Sequence, residues 1–128
     1  MPHVEGEGYR LSYQLIKDNL RLGISAVADS VNPWKLTRDE WSQVASSCGA
    51  PFINIEIVCS DQNEHRQRVE SRRSEIKNLK MPSWEEVLNR DYHEWDSPRI
   101  EIDTAAKSEE SCLLELQEAI RHQIASKE

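Results

Sequence analysis

The sequence of 128 residues is poor in glycine and cysteine, and both shortages exclude kinds of site. Its four glycines are too few and too scattered to form GxxxxGK[ST], the loop that cradles nucleoside triphosphates. Its three cysteines are an odd number without a CxxC pair, so neither a disulfide framework nor a zinc knuckle is predicted. We therefore expect a reducing, cytoplasmic compartment.

Positive charge and long apolar runs are also scarce. Sixteen Lys and Arg stand against 23 Asp and Glu, a formal net charge of -7, whereas nucleic-acid binders usually carry a basic surface. No apolar run approaches the roughly twenty residues that cross a bilayer. The first residues lack the basic and apolar regions of a signal peptide. We expect a soluble protein, with neither a membrane nor a nucleic acid as its partner.

Apolar spacing and capping residues predict five helices. Apolar residues recur every three or four positions along the first of them. Two others begin with the form of a capping box, Thr37 to Glu40 and Ser83 to Glu86. Ser60-Asp61 is predicted to cap the helix that follows it. The predicted helices are Tyr9–Leu22, Thr37–Cys48, Gln62–Ile76, Ser83–Leu88 and one starting at Ser108, with Leu113, Leu116 and Ile120 on its buried face.

Three short runs rich in apolar or β-branched residues predict strands at Ile24–Ala28, Phe52–Cys59 and Arg99–Asp103. Because helices and strands alternate, the expected fold is α/β, with a parallel sheet, right-handed crossovers and flanking helices. No internal repeat or linker divides the chain. The prediction is a single domain over residues 1–128.

Polar residues follow each predicted strand, at the positions where parallel sheets bind ligands. Asp29 and Asn32 follow the first strand, Ser60 and Asp61 the second, and Asp103 with Thr104 the third. An acid at such a place can hold a magnesium ion or accept a proton from a hydroxyl nucleophile. The alternative for Asp29 is a structural cap of the loop at Asn32-Pro33.

Two arginines on the third predicted helix form a second candidate site. Arg68 and Arg72 lie four residues apart, so both guanidinium groups could reach one phosphate. The alternative is a solvated helix, because Glu64 precedes Arg68 by four residues and other acids dilute the positive field.

Other kinds of site find little support. The four histidines have no metal-ligand spacing, and no GxSxG elbow is present. Asp91 to Asp96 contains candidate acid and base groups, but Tyr92 and Trp95 favour packing of this segment onto the domain.

Several segments together resemble a known family. The chain is similar to small P-loop ATP-binding proteins described as kinases or AAA-type ATPases, which are related to polynucleotide kinases, zeta toxins and chloramphenicol phosphotransferases. The resemblance covers most of the chain. It rests on Gly8 to Arg10, Asp18 to Gly23, Ala26 to Pro33, Val58 to Asp61, Glu64 to Arg72, Pro82 to Trp84 with Val87, Arg90, Tyr92 and Trp95, and Ile102 to Ala105.

The resemblance implies a three-layer P-loop kinase fold with a mobile lid at about residues 62–96, and transfer of the γ-phosphoryl group of ATP to a small acceptor. It places Asp29 near magnesium or substrate in a Walker-B-like position. It implies that Arg68 and Arg72 steady the transferring phosphoryl group from the lid. By the same similarity, Asp103 and Thr104 lie near the base of ATP. Asn32 lines the acceptor side.

The family also has a first strand and a Gly-rich loop that are not found in this sequence. That strand lies between the two corresponding here to Ile24–Ala28 and Phe52–Cys59, so the expected sheet is incomplete. We therefore expect a truncated kinase-like protein that binds ATP and Mg²⁺ weakly alone, with Met1 an internal methionine of a longer reading frame. The alternative is a non-catalytic remnant that associates with proteins, itself included, through the incomplete sheet.

Overall fold

The computed structural model describes residues 4–72 and 81–126 of the chain. These residues form a mixed α/β structure that is mostly helical, so the predicted class is confirmed at this coarse level. A kinase-like three-layer fold is not confirmed. The elements are α1 (Val4–Arg21), α2 (Lys35–Ser47), β1 (Ile55–Val58), α3 (Gln62–Ser71), α4 (Trp84–Leu88), β2 (Ile100–Asp103) and α5 (Glu109–Ser126).

The two strands pair in parallel, as the sequence predicts. Ile55 lies opposite Ile100, and the register continues to Val58 opposite Asp103. Since side chains alternate along a strand, Ile100 and Ile102 share one face, and both are buried where α5 packs on β2. The carboxyl ends of both strands therefore lie at one edge of the sheet.

The chain folds into two compact units. The first unit comprises Met1–Phe52 with Asp91–Asp96, and the second comprises Ile53–Arg90 with Ser97–Glu128. A single domain over residues 1–128 stays a prediction.

In the first unit α1 packs on α2 through aromatic rings. The rings of Tyr13 and Trp41 meet almost at right angles, with an interplanar angle of 86° and centroids 4.5 Å apart. Val44 and Ala45 of α2 are buried, and Gly49, with a φ of 67°, follows the end of the helix.

The predicted strand at Ile24–Ala28 is wrong. These residues form neither helix nor strand, and all of them are exposed. A strand needs a neighbour to bond its backbone groups. β1 and β2 pair with each other, and among the described residues no strand pairs with this run.

Several element ends also differ from the prediction. α2 begins at Lys35 with Trp34 as its N-cap, so Thr37 and Arg38 lie inside the helix, and no capping box forms at Thr37. β1 is half as long as the predicted strand. α3 ends at Ser71, and of its predicted continuation only Arg72 is described, while 73–76 lie outside the described residues.

The predicted buried face of the last helix is confirmed only in part. Leu113 is exposed, whereas Leu116 and Ile120 are partly buried. Among the described residues, no helix is both long enough and apolar enough to span a bilayer.

Candidate functional site

The carboxyl edge of the sheet brings together polar residues from both strand ends. Thr104, directly after β2, donates to the Val58 carbonyl oxygen from its backbone N–H at 2.8 Å and from Oγ1 at 3.0 Å. The Ser60 N–H donates to Oδ1 of Asp103 at 3.0 Å. Three of the polar residues that follow predicted strands, Ser60, Asp103 and Thr104, therefore lie together at one edge of the sheet.

The carboxylate of Asp103 is held in its ionised form. Its Oδ1 also accepts from the N–H of Ala105 at 3.0 Å. Hydrogen bonding from the Ser60 side chain, and then from the backbone N–H groups of Ala105 and Ser60, lowers the pKa of Asp103 to about 2. The edge thus carries a fixed negative charge at neutral pH.

Arg68 reaches this edge from α3. Its Nη1 donates to Thr104 Oγ1 at 2.6 Å, and its Nη2 donates to the Thr104 carbonyl oxygen at 2.9 Å. Nη2 also lies 2.6 Å from Oε1 of Glu64, one helical turn earlier. The structure therefore brings together Arg68 and Thr104, which the resemblance assigns to the lid and to the nucleotide, and it forms the predicted Glu64–Arg68 pair.

The loop after β2 is held in an unusual backbone conformation. Ala106 has a φ of 55°, and its N–H donates to Glu64 Oε2 at 2.7 Å. A left-handed conformation costs a residue with a Cβ about 1–2 kcal/mol. Glu64 thus binds Arg68 with one oxygen and the strained loop with the other. We define Glu64, Arg68, Asp103, Thr104 and Ala106 as the edge cluster.

Asp61 fixes where α3 begins, which sets the position of Arg68. Its carboxylate accepts from the N–H of Glu64 at 3.1 Å, so the predicted cap is confirmed. From that start, Glu64 and Arg68 fall on the side of α3 that meets Thr104. Sequence reasoning identified Arg68 and Thr104 but missed Ala106, because nothing local marks an alanine for a left-handed conformation.

Arg72 lies elsewhere on α3, as its C-terminal cap. With Arg66 and Val69 it borders an open cleft of about 420 Å³, whose other wall includes Met81 and Trp84. Arg68 does not line this cleft, so its contacts differ from those of Arg72. The binding of one phosphate by both arginines stays a prediction.

The rings of His65 and Trp84 pack almost at right angles, with centroids 4.9 Å apart. Burial, followed by the positive charges of Arg90, Arg68 and Arg72, lowers the pKa of His65. A neutral imidazole therefore lies beside the cleft at neutral pH.

Asp29 and Asn32 lie in the first unit. Asp29 is exposed and makes no ion pair with another described residue. Asn32 has a φ of 47°, and its N–H donates to the Tyr9 hydroxyl at 3.1 Å. Its side-chain Oδ1 is enclosed and accepts no hydrogen bond from the described residues. The backbone of Asn32 is thus held by hydrogen bonds, whereas Asp29 is open to solvent.

Arg38, which sequence reasoning missed, organises the first unit. Its side chain is buried, with the residue only 4% exposed. Its Nε donates to the Asn32 carbonyl oxygen at 3.0 Å, and its Nη2 donates to that of Pro33 at 3.3 Å. Its guanidinium carbon lies 4.2 Å from the ring centroid of Trp95 and 4.8 Å from that of Tyr92. The predicted packing role of Tyr92 and Trp95 is confirmed.

A magnesium site is not assembled by the residues that the structure describes. No group of three His, Cys, Asp or Glu side chains among residues 4–72 and 81–126 is placed to hold a metal ion. Asp29 has no second acid beside it in such a group. The described residues therefore do not fit a metal ion by themselves, and no chemical step is assigned to one.

Comparison with known proteins leaves the family open. No family model matches the chain, and no curated protein or solved structure shows significant similarity to it.

Proposed function

We propose that this chain is the nucleotide-binding part of a P-loop kinase-like protein, a family that transfers the γ-phosphoryl group of ATP to a small acceptor. One observation carries the proposal. Arg68, from the helix that follows one parallel strand, donates two hydrogen bonds to Thr104 at the end of the other. The resemblance assigns these residues to the lid and to the nucleotide, and they are in direct contact.

The edge cluster suits the base and ribose end of a nucleotide better than its phosphates. The ionised carboxylate of Asp103 can accept hydrogen bonds, such as those an amino group donates. The charge of Arg68 is already shared with Glu64 and Thr104. Since no Gly-rich loop occurs in these 128 residues, phosphate groups lack their usual cradle and the affinity for ATP is expected to be weak.

In this proposal Arg72 stabilises the charge of the phosphoryl group. The roles that the resemblance assigns to Asp29 and Asn32, near magnesium and on the acceptor side, stay predictions. These roles require the strand and phosphate loop that the family has. The chain alone is expected to bind the nucleotide without transferring its phosphoryl group.

The test is saturation-transfer NMR of the chain with adenosine and with ATP, with and without Mg²⁺. Both ligands should bind weakly, and Asp103→Asn should reduce the affinity for each several-fold. Arg121→Gln, an exposed change on α5, is the control and should leave both unchanged. A second protein, carrying a P-loop strand and helix placed upstream, should bind ATP more tightly than the chain does, but adenosine equally well.

Two results would contradict the proposal. Absence of adenosine and ATP binding by both proteins would show that no nucleotide site exists. Binding that Asp103→Asn does not weaken would place the site away from the edge cluster.

A second candidate function is protein association without catalysis. It is favoured by the apolar run at residues 24–31, which is exposed along its whole length. Sedimentation of the chain over a wide concentration range tests it, because an association module gains mass with concentration whether or not nucleotide is present.

A further inference from the structure

The exposed apolar segment, residues 24–31, has the composition of a strand but pairs with no strand that the structure describes. Val27 is 92% exposed and Val31 58% exposed. No backbone N–H or C=O group of residues 25–31 bonds to another described residue. β-branched residues with unpaired backbone groups form a template for pairing with another strand.

Two copies would meet little like charge along this segment. The whole chain carries a net charge of -7, yet within residues 24–31 only Asp29 is charged. The strands of the sheet contrast with it, because Glu56, Glu101 and Asp103 occupy three of their eight positions. Pairing through the sheet edges would bring these acids together, which charged edge strands are known to disfavour.

We propose that the exposed apolar segment pairs with the same segment of a second copy, as antiparallel strands about a two-fold axis through Val27. This inference rests on the second candidate function and names its surface and partner. A two-fold interface is the commonest arrangement for identical chains, and it uses the same patch on both.

The register follows from the residues. With Val27 opposite its own copy, Ser25 lies opposite Asp29 and Ala26 opposite Ala28, so a hydroxyl donor meets a carboxylate and small side chains allow close approach. Parallel pairing in register would instead place Asp29 opposite Asp29, and like charges directly opposite each other are destabilising. The antiparallel arrangement avoids that repulsion.

The experiment uses two variants of opposite charge at the axis, Val27→Lys and Val27→Glu. Analytical ultracentrifugation of the full chain should show a monomer–dimer equilibrium. Each variant alone should weaken dimerisation about tenfold or more, because like charges face each other across the axis. An equal mixture of the two should recover the dimer, since Lys then faces Glu.

Leu114→Lys, at an exposed position on α5, is the matched control and should leave the dimer unchanged. Circular dichroism should show both Val27 variants folded, because the side chain they replace is exposed.

Three results would overturn the proposal in distinguishable ways. A chain that stays monomeric at all concentrations would contradict both self-association and this interface. Dimerisation that neither Val27 variant weakens would place the interface elsewhere but would still support self-association. Weakening by each variant without recovery in the mixture would rule out the register centred on Val27.

Discussion

The two compact units of this protein bury different kinds of side chain. In the first unit Arg38 and Thr37 are buried beside Val44 and Ala45. In the second, Val69, Ile100 and Ile102 are buried. The guanidinium of Arg38 replaces part of an apolar core, because it bonds loop carbonyl groups and stacks on two aromatic rings.

The second unit has a buried charge as well, but it is arranged differently. Glu56, 8% exposed, accepts from Arg99 Nε at 2.7 Å. The charge of Glu56 is balanced by an arginine, whereas among the described residues Arg38 is stabilised by carbonyl dipoles and ring faces. The contrast shows two ways for a small core to accommodate an ion, and the two should respond differently to mutation.

The largest effect is expected at the apolar core of the second unit. Ile102, 2% exposed, lies on the strand that α5 covers, so Ile102→Ala should lower the free energy of unfolding by about 3 kcal/mol. Urea unfolding followed by circular dichroism measures it. Leu113→Ala on α5, where the side chain is exposed, should change it by less than about 0.5 kcal/mol. Equal losses of stability in the two variants would show that β2 does not belong to the core of this unit.

Arg38→Met should lower the free energy of unfolding somewhat less, by about 2 kcal/mol, because it keeps the apolar stem but removes the hydrogen bonds that Arg38 donates to the carbonyl groups of Asn32 and Pro33. Amide hydrogen exchange should quicken at His93, whose N–H donates to the Pro33 carbonyl oxygen at 2.7 Å. The control is Arg10→Met at an exposed position of α1. A loss of stability no greater than that of the control would mean that the Arg38 side chain does not stabilise this unit.

The two strand predictions show what local sequence can determine. Ile24–Ala28 and Phe52–Cys59 are similar apolar runs, yet only the second contains a strand. β1 forms because β2, more than forty residues away, supplies its hydrogen bonds. A run of apolar residues indicates a capacity for pairing, but its partner is set by contacts distant in sequence.

Helix starts show the same limit. Asp61 and Ser83 cap α3 and α4 as predicted, since each side chain accepts from an N–H three residues later. Thr37 has the same local pattern, but its Oγ1 donates to the Trp34 carbonyl oxygen at 2.9 Å from inside the helix. Pro33 and Trp34 bind partners on α2 and on the segment near His93, and these contacts move the helix start.

The candidate site was predictable where it follows from strand ends. Asp103 and Thr104 were identified because parallel strands present their carboxyl ends at one edge. The left-handed Ala106 and the buried Arg38 were not, because each owes its position to a partner distant in sequence, Glu64 for Ala106 and Trp95 for Arg38.

A smaller and opposite effect is expected in the loop of the edge cluster. Ala106→Gly should stabilise the protein by about 0.5–1 kcal/mol, because glycine adopts a positive φ without the Cβ penalty. Thermal unfolding measures it. Ala119→Gly, within α5, should instead destabilise by up to about 1 kcal/mol. If both changes destabilise, the positive φ of Ala106 is not a feature of the folded protein.

At neutral pH Asp103→Asn should lower the free energy of unfolding by a smaller amount, and this loss should shrink as the pH falls. The pKa of Asp103 is lowered from 3.8 to about 2 in the folded state, so its ionisation stabilises the fold above pH 3.8. That contribution is lost as the pH falls from 3.8 toward 2. The variant lacks it, so the stabilities of the two proteins should converge over this range in urea titrations. A difference that stays constant there would mean that the carboxylate is not held by Ser60 and Ala105.

The first unit should show the opposite dependence, at alkaline pH. Burial, and then the nearby carboxylate of Glu40, raises the pKa of Tyr13 above its ordinary value of 10.0. The neutral phenol is therefore favoured in the folded state. Its contribution is fully present below pH 10 and is lost as the pH rises further, because the unfolded chain then ionises first.

Tyr13→Phe keeps the ring against Trp41 and removes the ionisable group, so the variant should lose less stability than the wild type above pH 10. Urea unfolding at pH 8 and above pH 10 measures the difference. Parallel losses in the two proteins would place the Tyr13 hydroxyl in solvent, whereas a reduced loss in Tyr13→Phe, together with acid sensitivity at Asp103, would assign opposite pH responses to the two units.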